Sequence, residues 1–171
     1  MKNLTFHEGS AANFPGMGSE TFDIIFCNLV IRWVQDKAEA LKNMFNSLKP
    51  SGKIVMSYID HFISVYDNVY RKLNPENLDR ILNMFHLETR SKFEDMFKAT
   101  GFEIVQSYDV KYNDRHYEIC ERMCSFFWAT SHGVFDPKLV TEDRLASFCA
   151  RYTSGDSSAK PFTIFAQERD F

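Results

Sequence analysis

The residues best able to do chemistry fall in a few short stretches. His116, Cys120 and Cys124 stand at i, i+4 and i+8, on one face of a predicted helix over about 114–129. Three ligands spread over two helical turns cannot all reach one ion, and zinc sites draw on closely spaced pairs brought together by a turn, so no metal site is expected. None of the histidines has a nucleophile or partner at a recognisable spacing, which leaves a hydrolase without support. Gly16-Met17-Gly18 precedes a strand-like run instead of following one into a helix, so it reads as loop and not as a nucleotide-binding glycine turn. Asn28 and Leu29 end an apolar run, and ligands of parallel α/β sheets bind at the carboxyl ends of strands. They are candidates for ligand contact; the other reading is an ordinary strand end.

The elements that must position these residues alternate. Phe22-Asp23-Ile24-Ile25-Phe26-Cys27-Asn28 is a nearly continuous apolar run, the pattern of a strand buried on both faces. Asp36 is placed to cap a helix in which Ala38, Leu41, Met44, Phe45 and Leu48 recur at helical spacing. Lys49-Pro50-Ser51-Gly52 breaks that helix, and Lys53–Tyr58 is a second strand. A strand–helix–turn–strand order is a βαβ unit and implies a parallel sheet in an α/β fold.

Residues 60–100 read as helical, with Pro75 at one helix start and Gly101 as a terminal breaker. Phe102–Val110 resumes strand character. Helices follow over about 114–129 and 141–153, and Phe162–Gln167 closes the chain as a strand. Neither an internal repeat nor a domain boundary is apparent.

Composition narrows the function classes. The chain has 171 residues and a net charge of −3, which gives no reason to expect a nucleic-acid partner. No apolar stretch approaches the roughly 20 residues of a membrane span. No apolar run follows Lys2, so no signal peptide is expected; a cytoplasmic protein with reduced cysteines is the reading. Seventeen phenylalanines are more than usual, and they suit either a core or an apolar ligand cavity.

Taken in order, Phe22–Asn28, Ile31-Arg32-Trp33-Val34-Gln35-Asp36 and Leu48-Lys49-Pro50-Ser51-Gly52-Lys53-Ile54 resemble the middle of a class I S-adenosylmethionine-dependent methyltransferase. That family has a Phe-Asp strand, a Trp-Val element, a helix, and a Leu-Lys-Pro-Gly-Gly turn into the next strand. Ser51 departs from the pattern where glycine is usual. Gly101-Phe102-Glu103, an aromatic-rich helical insertion and the final strand fit as well. Within the family the likeness is greatest to juvenile hormone acid O-methyltransferase-like proteins, which methylate small carboxylic acids.

The resemblance implies a partial Rossmann-like fold: a mostly parallel sheet with helices on both faces, in one domain over 1–171 with helical insertions at about 60–90 and 114–130. The family's strand order is 3-2-1-4-5-7-6, with residues 3–7 as the third strand and 22–28 as the fourth. The first two strands, with the glycine-rich loop and the acidic ribose-binding residue, have no counterpart here. One edge of the fourth strand is then expected to be unpaired, covered by the third strand or a second chain, or left open in a truncated product.

The implied cofactor is S-adenosylmethionine, with binding weakened or lost without the glycine-rich loop. Glu8-Gly9-Ser10-Ala11 stands where the family sets an acidic-then-small pair against the adenine, with Ser10 in place of a common aspartate; the alternative is a plain polar loop. With Asn28 and Leu29, Ser10 and Ala11 are the cofactor-side candidates. Trp33 is the substrate-side candidate, with an indole N–H for a carboxylate and a ring for an apolar tail; its other reading is a residue fixing the next helix. Arg32 pairs with an acidic substrate or solvates a surface. Tyr66, Tyr70, Tyr117, Phe126, Phe127 and Trp128 sit in the insertions that roof the pocket, or belong to the core. No general base is needed, because a carboxylate is already ionised at neutral pH and alignment does most of the work. Two readings follow: methyl transfer to a small, apolar carboxylic acid, or a catalytically inactive truncated domain acting as an interaction or remnant protein, with a homodimer through the open sheet edge.

Overall fold

A computed structural model describes residues 3–60, 64–110, 120–151 and 161–168. In chain order these form β1 (Phe22–Asn28), a 3-10 turn (Ile31–Trp33), α1 (Lys37–Phe45) and β2 (Leu48–Ile59). There follow α2 (Ser64–Leu73), a second 3-10 turn (Pro75–Asn77), α3 (Leu78–Met84), α4 (Arg90–Thr100) and β3 (Phe102–Asp109). The last elements are α5 (Cys120–Thr130), a third 3-10 turn (Pro137–Leu139), α6 (Glu142–Arg151) and β4 (Pro161–Glu168). They make two compact units: 1–60 with 86–110 and 161–171, and 61–85 with 111–160.

The first unit holds the sheet, in the order β1-β2-β4-β3. β1 and β2 are parallel, with Ile25 opposite Ile54 and Cys27 opposite Met56. β4 runs antiparallel to both β2 and β3, so three strands point one way and one is reversed. This order reproduces the last four places of the family's 4-5-7-6 arrangement.

Alternation along the strands decides which side chains enter the core. Cys27, Ile54, Met56, Tyr58, Ile164 and Ala166 are buried in one cluster with Leu41 and Met44 of α1 and Phe93 and Phe97 of α4. Both helices start on side-chain caps: the Asp36 carboxylate accepts the Glu39 N–H at 2.9 Å, and the Thr89 hydroxyl accepts the Lys92 N–H at 3.4 Å. Gly101 ends α4 with φ +113°, closely packed on the Phe45 ring.

Three local expectations change. Residues 3–7 form no strand: a strand needs a hydrogen-bonding neighbour, and none of the described strands pairs with them. β1 is buried on one face only, since Ile24 and Phe26 on the other face are 61% and 68% exposed. The Lys49–Gly52 turn is drawn into the start of β2, with a register irregularity between Phe22 and Ile24 on the neighbouring strand. There Ser51 adopts a left-handed φ of +61°, the conformation that glycine takes most easily. A Cβ on Gly52 would come within 2.7 Å of the Lys49 carbonyl oxygen, so that position has no room for a side chain.

The second unit is helical. Val69, Tyr70 and Leu73 of α2 pack with Ile81 of α3, Phe127 of α5, Phe148 of α6, and Val134 and Phe135. Its connections are tied by a buried asparagine. Asn74 Nδ2 donates to the Asp136 carbonyl at 2.9 Å, while Asn74 Oδ1 accepts from Asn77 Nδ2 at 2.8 Å and from the Asp136 N–H at 3.3 Å. No helix among the described residues is long and apolar enough to cross a membrane.

Candidate functional site

The first unit carries a cleft of about 410 Å³ along β1. One wall is the loop that includes His7, Gly9, Ser10, Ala11 and Phe14; the other is Phe22 and Ile24–Cys27, closed off by Val30 and Met44. Consecutive strand residues point to opposite faces, so a wall made of four in a row lies at the strand's edge.

The loop has defined geometry although it forms no strand. The Ser10 N–H donates to the Asn13 carbonyl at 2.8 Å and the Asn13 N–H returns to Ser10 at 3.0 Å. The Ser10 hydroxyl oxygen accepts the Ala12 N–H at 3.2 Å, and Asn43 Nδ2 of α1 holds the Ala12 carbonyl at 2.9 Å. Ser10 and Ala11 are thereby fixed at the cleft wall.

Asn28 and Leu29 lie at the carboxyl end of β1 but are not cleft-lining residues; their neighbours Cys27 and Val30 are. Leu29 takes a left-handed φ of +57°, and its N–H donates to the Ser57 carbonyl at 3.0 Å. A leucine held there is a locally strained strand end. Burial pushes the Cys27 thiol up, away from the thiolate.

Beyond Leu29 the chain turns through Ile31–Trp33, with Ile31 buried and the Trp33 N–H donating to Val30 at 3.0 Å. The Arg32 guanidinium lies 5.2 Å from the centre of the Trp33 ring, a cation–π pair. The Arg32 carbonyl accepts the His86 N–H at 2.9 Å. Segment 86–88 is held in turn by Tyr58 of β2, whose hydroxyl accepts the Glu88 N–H at 2.6 Å and donates to the His86 carbonyl at 3.2 Å. Burial pushes the Tyr58 phenol up to about 12. Lys37 is also buried here, its ammonium donating to the Val34 carbonyl at 2.9 Å; burial lowers its pKa.

The structure therefore brings Ser10 and Ala11 to one cleft, ends the cleft's strand at Asn28, and sets Leu29, Arg32 and Trp33 in the turn that follows. Trp128 is 58% exposed in the second unit, whereas Phe127 and Tyr70 are core there, their rings 6.2 Å apart. Tyr66 belongs to α2. Tyr117 and His116 lie outside the described residues. His7 and Phe14 were missed by sequence reasoning, because the loop fold brings them to the cleft and nothing in their spacing marks them; Met44 was marked only as part of the apolar face of α1, and reaches the cleft from that helix.

Residues 3–107 match the family model described as a methyltransferase domain, and the chain belongs to that family. It is 28% identical over 127 residues to the demethylmenaquinone methyltransferase of Alkalihalophilus pseudofirmus, covering 65% of this chain and 52% of that protein. It is 26% identical over 125 residues to the ubiquinone/menaquinone biosynthesis C-methyltransferase UbiE of Vibrio campbellii, covering 63% and 48%. The chain thus spans about half the length of the curated relatives it matches. Among solved structures, a candidate methyltransferase of Bacillus halodurans superposes with a TM-score of 0.60 at 14% identity, over 99% of this chain and 79% of that one. The [4+2]-cyclase SpnF gives 0.59 at 15% identity, over 98% and 56%. At such identities the likeness is one of fold.

Proposed function

We propose that this chain carries the adenine-side and acceptor-side parts of an S-adenosylmethionine-dependent methyltransferase acting on a small, apolar carboxylic acid. The observation that carries the reading is the strained strand end at Leu29, flanked by the Ser10–Ala11 cleft before it and the Arg32–Trp33 pair after it. Non-glycine residues in the left-handed region cluster at ligand sites, where surrounding contacts hold them in place.

The cleft suits the flat, mostly apolar face of adenine. Phe14, Phe26 and Val30 offer apolar surface, and the Ser10 hydroxyl retains its own proton as a donor while accepting from Ala12. When bound, S-adenosylmethionine supplies an electrophilic methyl group. The chain's part is to hold the acceptor in line: Arg32 pairs with a carboxylate, and Trp33 gives an indole N–H and a ring for the apolar tail. Quinone acceptors, named for the relatives, form the comparison set in the assay.

The test is a calorimetric and thermal-unfolding titration with S-adenosylhomocysteine. At ~100 times its dissociation constant the ligand is expected to add about 2.7 kcal/mol, read as a rise of several degrees in Tm. A folded chain showing neither heat nor shift overturns the cofactor assignment. Trp33→Ala is expected to lower turnover by tenfold or more, about 1.4 kcal/mol in the barrier, with a smaller change in unfolding free energy; a pure stability loss removes Trp33 from the site.

A further inference from the structure

We propose that Lys37 is a positioning residue for acceptor binding: its buried ammonium sets the turn that carries Arg32 and Trp33. The inference rests on the methyl-transfer reading above and adds to it a residue that acts through Trp33.

Trp33 is tied on both sides. The turn closes with the Val34 N–H donating to the Ile31 carbonyl at 3.1 Å. The Val34 carbonyl then accepts Lys37 Nζ at 2.9 Å, and the Arg32 carbonyl accepts the His86 N–H at 2.9 Å. The two carbonyls that flank Trp33 are therefore held from different elements, α1 and the segment that precedes α4. Those holds converge. Glu88, on the same segment as His86, favours the charge of Lys37 and donates its own N–H to the Tyr58 hydroxyl.

Stability does not explain this lysine. It is 3% exposed and is the first residue of α1. A cation there meets the positive end of the helix dipole and has lost its water, so it stands against two penalties. Burial disfavours its charge, Glu88 favours it, and Lys92, which pairs with Glu88 at 2.6 Å, disfavours it. A methionine of similar reach would fill the space without either penalty. What methionine cannot do is donate to Val34. The carbonyl of half-buried Val34 would take water instead, which satisfies it without fixing its direction. An indole that is to meet a carboxylate and an apolar tail together needs that direction fixed.

The chain has two tryptophans, so Trp128→Phe leaves Trp33 as the sole indole emitter. In that background Lys37→Met is expected to red-shift Trp33 emission and steepen its quenching by acrylamide, with the urea midpoint unchanged or raised. Unchanged emission, or a lowered midpoint, overturns the proposal. Lys92→Met removes a neighbouring charge but not the Val34 bond, and is expected to keep the parent emission; a shift of equal size there overturns it too. Turnover of the full chain with Trp128 in place is the second arm, with a series of straight-chain carboxylates as acceptor probes. Lys37→Met is expected to raise the acceptor KM by about tenfold or more and to leave the KM for S-adenosylmethionine unchanged. Both constants moving together, or neither moving, refutes a role in acceptor positioning. A parent chain that methylates none of the carboxylates refutes the methyl-transfer reading instead, and the emission arm still decides whether Lys37 sets Trp33.

Discussion

Tyr58→Phe isolates the contact that ties segment 86–88, and through it Arg32, to the sheet. Phenylalanine keeps the ring stacked on Phe93, 4.5 Å away at an interplanar angle of 14°, and removes only the hydroxyl. Lost with it are the bond from the Glu88 N–H and the bond to the His86 carbonyl. Each hydrogen bond contributes about 1 kcal/mol net, and a donor left without a partner costs about 1–3 kcal/mol. Glu88 is only half-buried, so water recovers part of that, and the expected loss is about 2–3 kcal/mol. Urea unfolding at neutral pH measures it.

The same hydroxyl predicts a pH dependence. Burial, helped by the charges of Glu88 and Asp60 and opposed by the Glu88 backbone bond and Arg32, raises the Tyr58 pKa from 10.0 to about 12. A raised folded-state value means that the neutral phenol is favoured by folding. Its contribution is fully present below pH 10 and is lost as pH climbs to 12. One pH unit corresponds to about 1.4 kcal/mol, so the stability difference between the parent chain and Tyr58→Phe should shrink by about 2–3 kcal/mol across that window. A variant within about 0.5 kcal/mol of the parent at neutral pH, the scatter of an ordinary surface change, refutes the anchoring argument. A difference that does not change with pH refutes the burial argument.

Ser51→Gly should stabilise the chain by about 0.5–1 kcal/mol, because removing a left-handed serine outweighs the added freedom of the unfolded chain; the urea midpoint reads this. Gly52→Ala should destabilise by about 1–3 kcal/mol, since its Cβ meets the Lys49 backbone and not a movable side chain. Asn74→Ala should weaken the second unit by about 2–4 kcal/mol by stranding the Asp136 N–H and carbonyl. Amide exchange should localise that loss to α2, α3 and the Ser131–Asp136 segment, and uniform loss across both units would count against it.

What the sequence made legible was local. The apolar run at 22–28, the Asp36 cap, the Gly101 stop and the closing strand each depend on a few neighbouring residues, and each lies where its pattern put it. What it hid depends on partners distant in the chain. Leu4–His7 has strand-like residues, yet strand character is realised only across a ladder, and none of the described strands pairs with it. The apolarity of β1 suggested burial on both faces. An apolar run reports what a strand tolerates, not what covers it, and Ile24 and Phe26 stand in water.

The candidate site divides the same way. Asn28 and Leu29 were marked by a rule about strand ends, which a linear pattern can express. The left-handed turn at Leu29 could not be read from leucine, a residue that rarely adopts it. Its cause lies across the sheet, where the Leu29 N–H meets the Ser57 carbonyl after Asn28 has paired opposite Ser57. That bond ends the strand on the neighbouring ladder, and the chain must reverse at once to bury Ile31. The reversal then sets Arg32 against Trp33 and offers the Arg32 carbonyl to His86. The left-handed turn at Leu29 thus also seats Ile31 in the core immediately after a strand that is paired on its β2 side, and the exposed Asn28 side chain is left at that bend.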